Sequence, residues 1–267
     1  MNPAVAAGRL LMVGAGNMGG AMLARWLATG MPADAVTVVS PSGRAMPGGV
    51  RVVSEIPASA VFDTILLGLK PHQLDSIRAP LRGHAPRLVV SILAGVELQT
   101  LAGLMQAPVV RAMPNLPVAI GKGVVALHGA RGTEAGERAA ALMAPLGLVE
   151  WIGDERLFDA VTALAGSGPA FLYRFIDALA QAGEALGLPP EQAGRLALAT
   201  VEGSAFLAGA ADVAPGALAE RVASPGGSTR KGLDVLDDDA ALMKLLSATL
   251  AAATRRNAEM AQSARRT

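Results

Sequence analysis

The 267-residue chain has no cysteine, which excludes disulfides, a thiolate nucleophile and any cysteine-ligated metal. Histidine is nearly as scarce: His72, His84 and His128 are too scattered to form an expected metal site, so catalysis has to rest on other groups and no metal is expected. An excess of charge of one sign is also missing. The 23 Lys and Arg against 22 Asp and Glu create no broad field toward nucleic acid or an anionic membrane surface, and neither is expected as a partner. No apolar run reaches the roughly 18 residues that a membrane span needs. The apolar N-terminus "MNPAVAAGRLLMVGAGNMGG" lacks an early basic segment and runs straight into a glycine motif, so a cleaved signal is not expected and a soluble cytoplasmic protein is. Internal repeats and low-complexity tracts are lacking as well. What is present is 52% hydrophobic residues, enough for one large core or two modest ones.

Two kinds of patterning divide the chain. Up to about residue 152, short apolar runs alternate with helix-length segments: "RLLMVG" (9–14), "AVTVVS" (35–40), "FDTILLGL" (62–69), "RLVVSI" (87–92) and "PVVRAM" (108–113) read as strands. Between them "NMGGAMLARWLATG", "HQLDSIRAPL" and "ELQTLAGLM" read as helices, which predicts an α/β domain with a mostly parallel sheet covered on both faces. From about residue 155 the strand pattern vanishes. Leu157, Val161, Leu164, Gly168, Leu172, Phe175, Leu179, Ala182 and Leu186 step by three or four, the stripe of one long helix, and similar patterns follow at 191–209, 216–223 and 239–261. The boundary is placed between 153 and 154. An all-helical segment of this size, rich in alanine and poor in large aromatics, predicts packing against a second subunit.

"VGAGNMGGAM" sets Gly14, Gly16 and Gly19 in a G-x-G-x-x-G array between the first strand and the first long helix. The first glycine makes the tight turn, the second lets the backbone approach a pyrophosphate, and the third allows close packing of helix on strand. Phosphates would then meet the free N–H groups of the helix that begins near Asn17 and Met18. At the end of the second strand an NAD site carries a carboxylate for the ribose hydroxyls, whereas this chain has Ser40, Ser42 and Arg44. That pattern favours a 2'-phosphate and hence NADPH, with NADH possible; the alternative is a solvated loop with one ordinary arginine. Further loops lie past later strands: Lys70 and Pro71 in "GLKPHQ", Ala94 and Gly95 in "SILAGV", and Met113, Pro114 and Asn115 in "RAMPNLPVAIGKG".

In the second half, "ALAGSGPAFLYRF" interrupts the stripe with Gly166, Ser167, Gly168 and Pro169. Inside a helix glycine costs roughly 1 kcal/mol and proline about 3 relative to alanine, so the cluster predicts a kink, a restart, or close approach of another backbone. A second interruption, "ASPGGSTRKGL" (223–233), puts two glycines and a proline among hydroxyl side chains.

These segments, together with "LKP", "VVSILAGV" and above all "PGALAERVASPGGSTRKGLDVLD" (215–237), resemble the pyrroline-5-carboxylate reductase family in order from residue 9 to about 250. The resemblance implies an N-terminal Rossmann domain (1–153), a helical dimerisation and substrate-binding domain (154–267), a homodimer that often assembles as a pentamer of dimers, and hydride transfer from NAD(P)H to the imine of 1-pyrroline-5-carboxylate, giving L-proline. Carried over by position, it implies that Gly14 to Gly19 bind pyrophosphate, that Ser40 lies near the adenosine ribose, and that Lys70 and Pro71 border the dinucleotide. Ile92, Leu93 and Ala94 with Met113, Pro114 and Asn115 would flank the nicotinamide. Ser224 and the amides of Gly226, Gly227 and Ser228 would hold the substrate carboxylate, and the Thr229 hydroxyl would face the imine nitrogen. The chemistry agrees with the composition: a C=N bond becomes a better hydride acceptor when hydrogen-bonded, and needs no nucleophile or metal.

Three places depart from the family pattern. "PSGRAMPGG" is shorter than the helix expected there, Leu116 stands where threonine is common, and Arg230 stands where an apolar residue is frequent, facing solvent or substrate. Rival readings are a paralogous imine or hydroxyacid reductase with an altered substrate, and a non-enzymatic NADP sensor. The first would call for a catalytic Lys or Asp on the interdomain helix unless it retained every motif; the second would have no use for residues 224–229.

Overall fold

The computed structural model describes residues 3–265, with side chains described for residues 4–259. After a short helix α1 (Pro3–Ala7), strands β1 (Leu10–Val13), β2 (Val36–Val39), β3 (Arg51–Val53), β4 (Thr64–Leu67), β5 (Leu88–Ser91) and β6 (Val109–Pro114) form one sheet with β7 (Gly123–Gly129) and β8 (Gly147–Trp151). The order is β3-β2-β1-β4-β5-β6-β7-β8, and only the β6–β7 pairing is antiparallel. Connecting helices are α2 (Asn17–Ala28), α3 (Leu74–Leu81), α4 (Leu98–Ala102) and α5 (Glu134–Met143).

Every residue of β1, β2, β4 and β5 is buried, as expected for central parallel strands with helices on both faces. Because successive side chains point to opposite faces, β1 feeds two cores. Leu10 and Met12 join Trp26 and Leu142 on one side, while Leu11 and Val13 join Ile65, Leu67 and Leu101 on the other. Trp26 is fully buried and donates its indole N–H to the Leu142 carbonyl at 2.8 Å, which satisfies its one polar atom.

The five strands expected from sequence are all present. Strands β3, β7 and β8 are additional: β3 has three residues, and β8 alternates half-buried with exposed positions, so neither carries a continuous apolar run.

The long helical stripe is not one helix. Helix α6 (Phe158–Val161) passes into a π-helical turn, Thr162–Gly166, closed by Ser167 N–H donating to the Thr162 carbonyl at 2.9 Å, and α7 (Gly168–Ala185) restarts beyond it. Pro169 explains the break, since it has no N–H to offer the carbonyl of Ala165 four residues earlier. That carbonyl is taken instead by the Asn115 side chain, described below.

The chain divides into two compact units, residues up to Ser167 together with those from Ala253 on, and Gly168–Ala252. The sheet ends at Trp151, close to the expected 153/154 boundary, but residues 154–167 stay with the first unit because Glu155 and Ala165 are tied to it. The second unit pairs α7 with α8 (Pro190–Ala210) and continues through α9 (Pro215–Val222), α10 (Ser228–Asp237) and the start of α11 (Ala241–Arg265). Its buried side chains among the described residues are Ala193, Ala197 and Ala223, whereas Leu172, Tyr173, Phe175, Phe206, Leu207 and Leu245 are exposed. A unit that buries three alanines and exposes this much apolar surface has its partner elsewhere. No single helix is long and apolar enough to cross a membrane among the described residues.

Candidate cofactor cleft and substrate loop

Strand order reverses between β1 and β4, and a cleft of about 270 Å³ opens at their carboxyl ends. Its walls are Gly14 and Gly16 after β1, Val39 and Pro41 after β2, and Gly68 and Lys70 after β4. Gly14 has φ +86°, and a Cβ there would lie 3.0 Å from the backbone of Gly68 and Leu69. The approach is mutual, since a Cβ on Gly68 would come within 2.8 Å of the Gly14 carbonyl oxygen. Gly19 would place a Cβ 3.4 Å from the same oxygen, consistent with close helix–strand contact. Gly16 is different: it precedes α2, nothing stands within 4 Å of its missing Cβ, and no side chain caps the helix. Free N–H groups facing open space at the N-terminus of a twelve-residue helix fit a pyrophosphate. Asn17 is exposed on the first turn, and Met18 is half-buried against the core.

At the end of β2, Ser40 is buried and its Oγ lies 3.2 Å from that of Ser42, while Arg44 is exposed on a loop without a carboxylate. The helix lacking there leaves only a short 3₁₀ turn at Pro47–Gly49. Lys70 is exposed and begins the 3₁₀ turn containing Pro71; its N–H donates to Gln73 Oε1 at 3.0 Å.

Past β5, Ile92 is half-buried and Ala94 exposed, but Leu93 is 4% exposed and packs with Leu101 and Leu104. Leu93 is therefore a core anchor that holds its neighbours in place. At the end of β6, Met113 is half-buried and Pro114 buried, and Asn115 just beyond is 7% exposed with both ends of its amide engaged. Its Nδ2 donates to the Ala165 carbonyl at 2.9 Å, and its Oδ1 accepts from Val124 N–H at 2.8 Å. Asn115 thus braces β6, β7 and the π-helical turn at once, a role invisible without knowing that Pro169 frees a carbonyl.

A second brace also escaped the sequence. Arg111, 7% exposed, meets Glu155 Oε1 at 2.6 Å and lies over the Phe158 ring at 4.5 Å. The same carboxylate oxygen accepts Leu98 N–H at 2.7 Å, so one side chain ties β6 to the start of α4 just after the Ile92–Ala94 loop.

In the second unit the residues expected to hold substrate run from the α9–α10 loop into the first turn of α10. Ser224, Gly226, Ser228 and Thr229 are exposed; Gly226 has φ +70°, the left-handed conformation that favours glycine. Gly227 is the exception among the expected amide donors, because its N–H already donates to the Ser224 carbonyl at 2.9 Å and closes the turn. The open donors are those of the first turn of α10, beginning at Ser228. Arg230, expected to face solvent or substrate, is held by carboxylates of its own unit. Its side chain is 25% exposed and meets Glu220 (2.9 Å), Asp234 (3.0 Å) and Asp237 (3.2 Å); the hydrogen bond to Glu220 is the main reason its guanidinium pKa is raised. No cluster of three or more ligating side chains capable of holding a metal occurs among the described residues.

A sheet whose order runs 3-2-1-4-5-6, with a glycine cradle at the switch point, defines a Rossmann-type dinucleotide-binding protein. Comparison with known proteins narrows this class. Residues 155–260 match the family model described as pyrroline-5-carboxylate reductase dimerisation, and residues 9–95 match one described as NADP oxidoreductase coenzyme F420-dependent. The chain is 35% identical to the pyrroline-5-carboxylate reductase of Pseudomonas aeruginosa over 95% of its own length and 97% of that protein. Among solved structures, the pyrroline-5-carboxylate reductase of Coxiella burnetii superposes with a TM-score of 0.83 at 28% identity, covering 95% of this chain and 98% of that one. The Plasmodium falciparum pyrroline carboxylate reductase with NADP bound gives 0.80 at 25% identity over 95% and 98%. This chain belongs to the pyrroline-5-carboxylate reductase family.

Proposed function

We infer that the chain reduces 1-pyrroline-5-carboxylate to L-proline, the last step of proline biosynthesis, using NAD(P)H. The observation that carries this reading is the glycine cradle at the switch-point cleft in a chain that matches curated reductases over nearly its whole length. NAD(P)H, when bound, supplies the hydride that adds to the imine carbon. The first-turn N–H groups of α2 would hold the pyrophosphate, with Lys70 and Pro71 bordering it. Ser40, Ser42 and Arg44 favour a 2'-phosphate and therefore NADPH over NADH, in keeping with the relative solved with NADP.

Substrate recognition is assigned to residues 224–229. The first-turn amides of α10 hold the carboxylate together with Ser224 and Gly226, while Gly227 shapes the turn. The Thr229 hydroxyl donates to the imine nitrogen, which draws electron density from the C=N carbon as the hydride adds there, and a proton from water completes the amine. Ile92, Ala94 and Met113 flank the nicotinamide side, with Leu93, Pro114 and Asn115 holding that wall from behind. The exposed apolar helices make the protein a homo-oligomer, and we extend this to a dimer intertwined through residues 154–267 and to five dimers in a ring, acting in the cytoplasm.

The test is oxidation of NADPH on addition of 1-pyrroline-5-carboxylate, with pyrroline-2-carboxylate and piperideine carboxylates as controls. Turnover is expected with the first substrate. Its absence, or preference for a control, would overturn the assignment in favour of a paralogous reductase.

A further inference from the structure

Helices α9 and α10 are joined by five residues, 223–227, within which the Gly227 N–H donates to the Ser224 carbonyl. Such a link leaves the mutual placement of the two helices underdetermined. Arg230 supplies the missing constraint. It stands in the first turn of α10, where the helix dipole disfavours a cation, yet it is surrounded by three carboxylates that offset this cost. Asp234 and Asp237 lie on α10 itself, one and two turns further on, and fix the guanidinium along that helix. Glu220 lies on α9, and both of its oxygens accept from the same Arg230 nitrogen, at 3.0 and 2.9 Å. Lys231 adds a contact to Asp234 at 3.3 Å, leaving Arg230 as the group that reaches across to the other helix. Isolated exposed pairs contribute little, but one planar fork shared by three carboxylates is a geometric lock, and lysine cannot reproduce it.

We propose that Arg230 is a positioning residue for substrate binding: by clasping Glu220 of α9 to the first turn of α10, it holds the Ser224–Thr229 loop in the shape that receives the substrate carboxylate. The inference rests on the reading of residues 224–229 as the substrate loop. Arg230 acts through the loop: its four hydrogen bonds all go to the carboxylates of Glu220, Asp234 and Asp237.

Two variants separate the roles. Arg230→Met removes the whole clasp, and Glu220→Ala cuts only the tie between helices, leaving Arg230 with its own-helix partners. Each should raise KM for 1-pyrroline-5-carboxylate by about fivefold to twentyfold, with KM for NADPH unchanged and kcat lowered much less. The double variant should be no worse than Arg230→Met alone, since both changes break one contact. Arg230→Lys should recover only part of the loss. A purely structural role would lower Tm and leave this substrate-selective, non-additive pattern absent. Unchanged substrate KM in Glu220→Ala overturns the clasp, and this variant decides the matter if Arg230→Met fails to fold. Thr229→Ala, run in parallel, separates the two levels: full turnover there sinks the substrate-loop reading, whereas lost turnover with normal KM in Glu220→Ala sinks the clasp alone.

Discussion

The two compact units solve opposite problems. The sheet unit buries Leu10, Leu11, Met12, Ile65, Leu66 and Trp26 completely and holds its cleft by backbone-to-backbone contact between Gly14 and Gly68. The helical unit buries three alanines, leaves its loop at 223–227 with a single turn bond, and closes it with exposed charge. A dinucleotide common to many reductases suits a preformed rigid cradle; a small substrate whose carboxylate and imine must be recognised suits a loop whose side chains can differ from family to family. With the proposed assignment of the two sites, rigidity lies where the ligand is generic and adjustable chemistry where it is specific.

The largest expected effect strikes the rigid side. Gly14→Val puts a branched side chain at φ +86° against the Gly68 backbone, so NADPH binding followed by fluorescence should be lost, by about a hundredfold or more in Kd. Retained affinity would show that the cradle is more pliable than the contacts suggest. Next comes Asn115→Ala, which leaves the Ala165 carbonyl and the Val124 N–H without partners; denaturant unfolding should show a loss of about 1–3 kcal/mol. Unchanged stability would mean that the π-helical turn needs no brace. A smaller change is expected for Arg44→Ala, whose preference for NADPH over NADH should fall about tenfold in kcat/KM; an unaltered ratio removes Arg44 from cofactor choice.

The smallest effect concerns pH. Arg156 beside Asp154 lowers its carboxyl from 3.8 to about 2, mainly through their side-chain hydrogen bond. A lowered folded-state pKa gives stability that is present above about pH 4 and lost as pH falls toward 2. Asp154→Asn should therefore melt slightly below wild type at pH 7 and converge with it near pH 2; parallel melting temperatures at both ends would show that this exposed pair is silent.

How much of this was legible in the sequence follows the same division. Gly14, Gly16 and Gly19 announce their work because the steric demand sits in the residues themselves, and the central strands announce theirs through unbroken apolar runs. Strand β8 and the three-residue β3 stay hidden because edge strands need no such run. The break in the stripe over 157–186 is announced by Gly166, Ser167, Gly168 and Pro169, but its consequence, a carbonyl claimed by an asparagine 50 residues earlier, is a tertiary fact. Arg230 could be recognised as unusual but not explained, since Glu220 becomes its partner only when the loop folds back. Gly227 shows the converse: its position fitted an amide donor, but the turn itself uses that N–H.

In the proposed mechanism cofactor and substrate are handled by separate parts of the chain, with Thr229 acting only on the imine. Thr229→Ala tests it most directly, with NADPH affinity and turnover measured on the same sample. An unchanged NADPH Kd and a kcat lower by about 10² to 10³ are expected, by analogy with deleting one preorganised hydrogen-bond donor. Near-normal turnover, or loss of NADPH binding along with activity, would contradict it.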